Sequence, residues 1–163
     1  MEKQHGQYFY GSVLKAEFVG TCLLMLACNM IEDAEENTLM PLAYFSLVMC
    51  FYDISGGHLN PAISIGVWLS EKRYVQNLMF MILIHVAQCL GAIVALSLGF
   101  MLRVSVTEPN TGEKYLLPDA YASTPPLLVS ADGIPSYGQI MLSETIGTFI
   151  FVLVAVKARE HMK

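Results

Sequence analysis

Residues 1–163 predict an all-α, polytopic membrane protein: one transmembrane domain of four spanning helices plus one re-entrant half-helix. Three observations predict it. Hydrophobic residues make up 55% of the chain and charged ones 14%, against about 25% charged in soluble domains. The apolar residues gather in long runs, most of them near or above the roughly 20 residues that cross hydrocarbon. Between the second and third runs lies Ser55-Gly56-Gly57-His58-Leu59-Asn60-Pro61-Ala62, a turn followed by a helix start.

The first span covers residues 8–31, entered through Ala16-Glu17-Phe18-Val19-Gly20-Thr21 and closed by the acidic loop Glu32-Asp33-Ala34-Glu35-Glu36-Asn37. A second, shorter span covers 38–51, with Asp53 as its stop. Asn60 is then an N-cap, Pro61 occupies the first helical position, and Gly56 and Gly57 turn the chain into it. The continuation to Ser70 holds about ten residues, roughly 15 Å at 1.5 Å per residue, or half a bilayer. A helix that ends inside a membrane is tolerated only where its open end is buried in protein or lines a wet cavity. Ser70-Glu71-Lys72-Arg73 breaks the pattern before the third span, 75–102, which carries His85 and Gln88. Residues 103–136 are polar, hold five prolines and show no helical period; a loop of that length usually covers a surface or has a function. The fourth span is 137–156, followed by the basic tail from Lys157 to Lys163.

Charge supports this topology. Four crossings put both termini on one side, together with Lys3, Lys15, Lys72, Arg73, Lys157, Arg159 and Lys163; Arg103 and Lys114 fall opposite. Seven of the nine basic residues on one face predict that this face is cytosolic, or its equivalent such as a mitochondrial matrix, with 103–136 outside. Which membrane holds the chain is left open. The run following Met1–Gln7 is too long for a signal peptide and lacks a small-residue cleavage site.

The chain echoes itself. Glu17-Phe18-Val19-Gly20-Thr21 and Glu144-Thr145-Ile146-Gly147-Thr148 share Glu-x-x-Gly-Thr, and an odd number of crossings separates them. That is the pattern of an inverted-topology repeat. Glutamates within spans are costly and face protein or water, so Glu17 and Glu144 are candidate structural braces for N–H groups of a re-entrant loop; Glu17 is expected to find them near Gly56 to Asn60, and Glu144 to lack its equivalent partner within residues 1–163.

With these motifs in hand, the chain resembles the aquaporin, or major intrinsic protein, family. The resemblance rests on Ala16-Glu17-Phe18-x-Gly20-Thr21, on Ser55 to Ala62, on Ala87-Gln88-Cys89-Leu90-Gly91-Ala92 and on Glu144-x-x-Gly147-Thr148-Phe149, in the family's order. It implies an aquaporin-like but incomplete bundle: a first repeat over 8–102, a non-cytosolic loop over 103–136, and the first span of a second repeat over 137–156. It implies a channel for water or small neutral solutes such as glycerol. Asn60, Pro61 and Ala62 would be the pore motif, with the Asn60 amide offered to solute; Gly56, Gly57, His58 and Leu59 would supply a ladder of accepting carbonyls; Gln88 would join Glu17 and Glu144 as a brace. The positive end of the half-helix would oppose cations and protons. The resemblance leaves Met40 or Tyr44 as the second span's constriction residue.

Residues 1–163 contain one Asn-Pro-Ala. A second re-entrant loop, its selectivity arginine and two further spans of the family pattern are not among them. The chain alone is therefore expected not to conduct and to serve as a subunit of a larger membrane assembly, in contact with lipid and with other membrane chains. The alternative is a water or glycerol channel completed by a second polypeptide or by self-association.

Other features read more plainly. His58 is expected to position the loop, and His85 and Gln88 to bond to neighbouring helices. Gly91, Ala92, Ala95 and Gly99 suit close helix packing. Cys22, Cys28, Cys50 and Cys89 read as small core hydrophobes, with no zinc spacing among them. A formal charge of −5 with no basic cluster argues against a nucleic-acid partner. Neither an enzyme's nucleophile–base pair, a phosphate-binding glycine loop nor a metal or cofactor motif is present in the sequence.

Overall fold

The computed structural model describes residues 2–30, 33–71, 74–102, 104–107, 114–117 and 137–161. In chain order the elements are α1 (Glu2–Met30), α2 (Asp33–Ser55), α3 (Pro61–Ser70), α4 (Tyr74–Leu102), β1 (Val104–Thr107), β2 (Lys114–Leu117) and α5 (Tyr137–His161). Four helices are long and apolar enough to cross a membrane, over Tyr10–Met30, Thr38–Ser55, Asn77–Leu102 and Ile140–Glu160. With the short apolar α3 they form the all-α polytopic architecture that the hydropathy pattern predicts.

Packing explains the order of the bundle. α1 lies along α4 over most of its length and touches α2 less extensively, while α3 is wedged between α4 and α5. Small residues allow the close approach: a Cβ at Gly91 would run into the Phe18 carbonyl of α1, and one at Gly99 would press on Asn29. Ala95 between them is fully buried. Without a hydrophobic force between helices in lipid, such contacts supply the association. The core sits where α1, α3 and α4 meet, at Val13, Ala16, Leu59, Ile63, Val67 and Ile84. Outward, large apolar side chains stand exposed on every span, among them Phe45, Met49, Ile93 and Phe149. That inversion suits a lipid solvent.

Several boundaries differ from the sequence reading, each for a physical reason. Asp33 to Asn37 belong to α2 rather than to an acidic loop; carboxylates are favourable at a helix's positive end. Asp53 does not stop α2, which runs to Ser55. The stop is Gly56, whose φ of 84° carries the chain out of the helix while its N–H still donates to the Tyr52 carbonyl at 2.8 Å. Pro41 lies inside this helix, where it removes one ladder bond. α5 continues past 156 to His161, helped by Lys157 and Arg159 near the negative end and by the Lys157–Glu160 ion pair at 2.8 Å. Within 103–136 an antiparallel hairpin forms, with Val104 opposite Leu117 and Thr107 opposite Lys114. Its signal is the alternation in Val-Ser-Val-Thr. The rest of that loop lies outside the described residues. The core reading of the cysteines fails for Cys50 and Cys89, which are exposed on α2 and α4.

Candidate functional site

The loop between α2 and α3 departs from regular structure over the five residues 56–60. Gly56 and Gly57 take φ of 84° and 60°, and Leu59, with a side chain, takes 49°. A left-handed Leu costs about 1–2 kcal/mol, so the surroundings must hold it there. They do so twice. Its side chain is 2% exposed and lies on Gly20 of α1, where any Cβ would collide with it. Its N–H donates to Glu17. Gly57 is confined in the same way, since a Cβ there would stand 3.0 Å from the Val48 carbonyl oxygen. Its N–H is taken by the Ser55 hydroxyl at 3.2 Å.

Asn60 then starts α3. Its backbone is extended (φ −152°, ψ 128°), and its Oδ1 accepts the Ala62 N–H at 2.8 Å. Pro61 follows at the first position, where a missing N–H costs nothing. The Ser64 N–H donates to the Asn60 carbonyl at 3.0 Å and closes the first turn.

Glu17 organises the interior. Its side chain is fully buried, and it accepts three hydrogen bonds: His58 N–H on Oε1 at 3.0 Å, Leu59 N–H on Oε2 at 2.8 Å, and Gln88 Nε2 on Oε2 at 2.7 Å. Two of the donors are consecutive backbone groups that no helix or strand could satisfy. A carboxylate with three donors is a strong acceptor, and the donors in turn offset its desolvation. Gln88 spends its second amide hydrogen on Ser64 Oγ at 3.0 Å. Ser64 donates to the Asn60 carbonyl at 3.2 Å and faces His58 Nδ1 at 3.2 Å. Because the Ser64 hydrogen is committed to Asn60, the His58 proton belongs on Nδ1 and its Nε2 is an acceptor. Arg159 of α5 donates to that Nε2. One network thus joins α1, the loop, α3, α4 and α5.

What remains unpaired is as informative. Among the described residues no donor reaches the carbonyls of Gly56, Gly57, His58 or Leu59, and the Asn60 Nδ2 amide has no acceptor. These four successive carbonyls therefore keep their acceptor capacity uncommitted within the described residues. A cavity of about 360 Å³ reaches Gly56, His58 and Ser64, and its walls include Tyr52, Trp68, Phe80, Ile84 and Arg159.

The other expected residues fall as follows. Glu144 stands exposed on α5 with no hydrogen-bond partner among the described residues, so the structure does not bring it to the loop. His85 bonds the Met81 carbonyl of its own helix at 2.8 Å, not a neighbouring helix, which corrects that expectation. Met40 and Tyr44 are half-buried; Tyr44 meets the Phe151 ring at 5.4 Å, and neither lines the cavity. No cluster able to hold a metal occurs among the described residues. Sequence reasoning missed Ser64 and Arg159. Ser64 carried a signal, a hydroxyl four residues after an N-cap in an otherwise apolar half-helix. Arg159 carried none, since nothing local ties a basic tail residue to a loop a hundred positions earlier.

Four helices long and apolar enough to cross a membrane, with a short apolar helix whose leading loop is braced by a buried carboxylate, define an integral membrane bundle. The family model described as "Major intrinsic protein" matches residues 6–163, and the chain belongs to that family. It is similar to "Aquaporin PIP2-7" of Musa acuminata, 32% identical over 93% of this chain and 53% of that protein. It is also similar to "Aquaporin PIP2-7" of Arabidopsis thaliana, 36% identical over 71% of the chain and 35% of the relative. "Probable aquaporin PIP2-8" of Arabidopsis thaliana is 28% identical over 93% and 53% respectively. The chain spans about half the length or less of these curated relatives. No solved structure matches it.

Proposed function

We propose that residues 2–161 build one wall of a channel for water or small neutral solutes, and that this wall does not conduct by itself. The observation that carries this reading is the braced loop: four carbonyls without donors, followed by an Asn60 amide without an acceptor, among the described residues. A hydrogen-bonding solute that leaves bulk water needs acceptors and donors in sequence along one line, and this loop offers both. The half-helix starting at Pro61 points its positive end at Asn60, which disfavours cations there. Both termini face the cytosol, following the basic residues.

A single-file path needs protein on every side. The exposed face of α5, with Glu144 set among apolar side chains, is the surface a second wall would cover, since an unpartnered carboxylate within a span is costly. Further spans complete the path.

Reconstitution tests this. Proteoliposomes of this chain alone are expected to match empty vesicles in osmotic water permeability. Addition of a polypeptide bearing two further spans and a second re-entrant loop is expected to raise it, and Asn60→Asp to lower the gain. Fast flux from the chain alone that Asn60→Asp removes would instead establish self-association into a pore. Absence of flux in every combination would overturn the channel reading.

A further inference from the structure

The network around Glu17 accounts for one end of the cavity, where Arg159 meets His58 and His58 faces Ser64. The other end is built from residues that this network does not use: Trp68 on α3, Glu71 at its C-cap, and Asn77 and Phe80 on α4. Within each pair the side chains are three residues apart and share a helix face. A bond from Asn77 Nδ2 to Glu71 Oε2 at 3.1 Å ties the two pairs together. Glu71 lies two turns beyond Ser64, about 10 Å along the helix axis, so this end stands apart from the Arg159 guanidinium.

Both rings are fixed by contacts within the chain. The Trp68 indole donates its Nε1–H to the Tyr74 carbonyl at 3.0 Å and stands edge-to-face with the Tyr74 ring, centroids 5.5 Å apart. Phe80 meets Tyr10 of α1 in the same geometry at 4.7 Å. With its N–H spent on a backbone carbonyl, Trp68 has a π surface left for the cavity rather than a donor. Glu71 supplies the charge: Asn77 takes one of its oxygens, and no Lys or Arg pairs with it among the described residues. Lys72 and Arg73, next in the chain, lie outside them. Over the whole cavity wall the charged side chains are Asp53, Glu71 and Arg159, two negative against one positive, while His58 is held as an acceptor by Arg159.

Fixed rings beside a carboxylate, in a cavity of about 360 Å³, suit an organic cation whose charge is spread over methyl groups. An anion would meet Glu71, and a bare metal ion would find too few ligands, since no cluster able to hold one occurs among the described residues. We propose that the end of the cavity between Trp68 and Phe80 is a binding site for a small methylated ammonium compound, its methyls on the two rings and its charge against the second oxygen of Glu71. All four residues belong to this chain, so occupancy needs no partner, and the inference stands whether or not the cavity conducts.

Trp68 is the only tryptophan in residues 1–163, so its emission reports this end of the cavity. Choline chloride is titrated into the chain in detergent micelles at constant ionic strength, with 3,3-dimethylbutan-1-ol as an uncharged analogue of the same shape. Choline is expected to change the emission saturably, and the alcohol to leave it unchanged. Saturation transfer from the protein to the choline methyl protons is read in parallel, so that binding silent in emission is still detected. Glu71→Gln keeps an acceptor for Asn77 but removes the charge, and is expected to raise the apparent Kd about fivefold. Phe80→Leu keeps apolar volume but removes the ring, and is expected to raise it about threefold. Neither variant touches the Glu17 network, and circular dichroism checks that both stay folded. Equal responses to choline and the alcohol overturn recognition of the charge. A Kd that neither variant changes, or no signal by either method at millimolar choline, overturns the site.

Discussion

Glu17 and Glu144 head the same five-residue pattern, Glu-x-x-Gly-Thr, yet they live in opposite surroundings. Around Glu17 the carboxylate is fully engaged: three donors converge on it, Leu59 lies on Gly20, and Thr21 is buried, with only Thr21 Oγ1 and Gln88 Oε1 lacking a partner nearby among the described residues. Around Glu144 nothing is, among the described residues: the carboxylate is exposed, a Cβ on Gly147 would meet no atom within 4 Å, and Thr148 faces outward. Local sequence is nearly identical, so local sequence does not make the site. The pattern is a socket, with an acceptor to take two backbone N–H groups and a glycine one turn on to admit the side chain that follows. It becomes a site only when a loop with left-handed residues is seated in it.

The largest expected effect comes from emptying the filled socket. Glu17→Ala orphans the His58 and Leu59 N–H groups and one hydrogen of Gln88, and is expected to cost about 3 kcal/mol or more in reversible detergent unfolding. Glu144→Ala removes a carboxylate with no partner among the described residues; stability is expected to stay within about 0.5 kcal/mol or to rise. Equal losses at the two positions would break the comparison, because they would mean that Glu144 is already engaged in the isolated chain.

A smaller effect follows at the glycines. Gly20→Val drives branched methyls into Leu59 and toward Phe51, whose nearest ring carbon would lie only 3.0 Å from the added Cβ. The Leu59 backbone cannot retreat without surrendering its bond to Glu17. The expected cost is about 1–3 kcal/mol, the range for overpacking. Gly147→Val faces open space and should be tolerated, with β-branching in a helix costing only about 0.5 kcal/mol relative to good helix formers. Should a polypeptide carrying a second re-entrant loop associate with α5, the tolerance at Gly147 is expected to vanish in the complex. Thermal melts with and without that partner check this.

Much of this was legible in the sequence. The four spans, the half-helix and its cap followed from hydropathy and from the order Gly-Gly-x-x-Asn-Pro, and the Glu17 contact followed from the cost of a carboxylate in a span. Features set by long-range packing were not legible. The stop of α2 lay at Gly56 rather than at the charged Asp53, because positive φ, not polarity, ends a helix here. His85 chose a carbonyl four residues back on its own helix over a neighbour, a geometry any helix offers. The Arg159 contact with His58 depends on how α5 docks on α3, where Gly66 admits Val152. No short-range pattern encodes that docking.

The smallest expected effect separates two roles that one residue holds. Asn60 caps α3 through Oδ1, and only its Nδ2 amide has no partner among the described residues. Asp and Asn are comparable N-caps, since both present an oxygen to the Ala62 N–H. Asn60→Asp is therefore expected to change stability in detergent by less than about 0.5 kcal/mol, whereas Asn60→Ala loses the cap and costs about 1 kcal/mol. In function the order reverses: aspartate replaces two N–H donors with a negative oxygen at the positive end of the half-helix, and alanine merely deletes them. In any conducting assembly Asn60→Asp is expected to relax the barrier to cations, a change that Asn60→Ala cannot produce by charge. If the two variants instead lose stability and permeability in parallel, the amide has no role apart from the cap, and the free carbonyls beside it would have to carry solute contact alone.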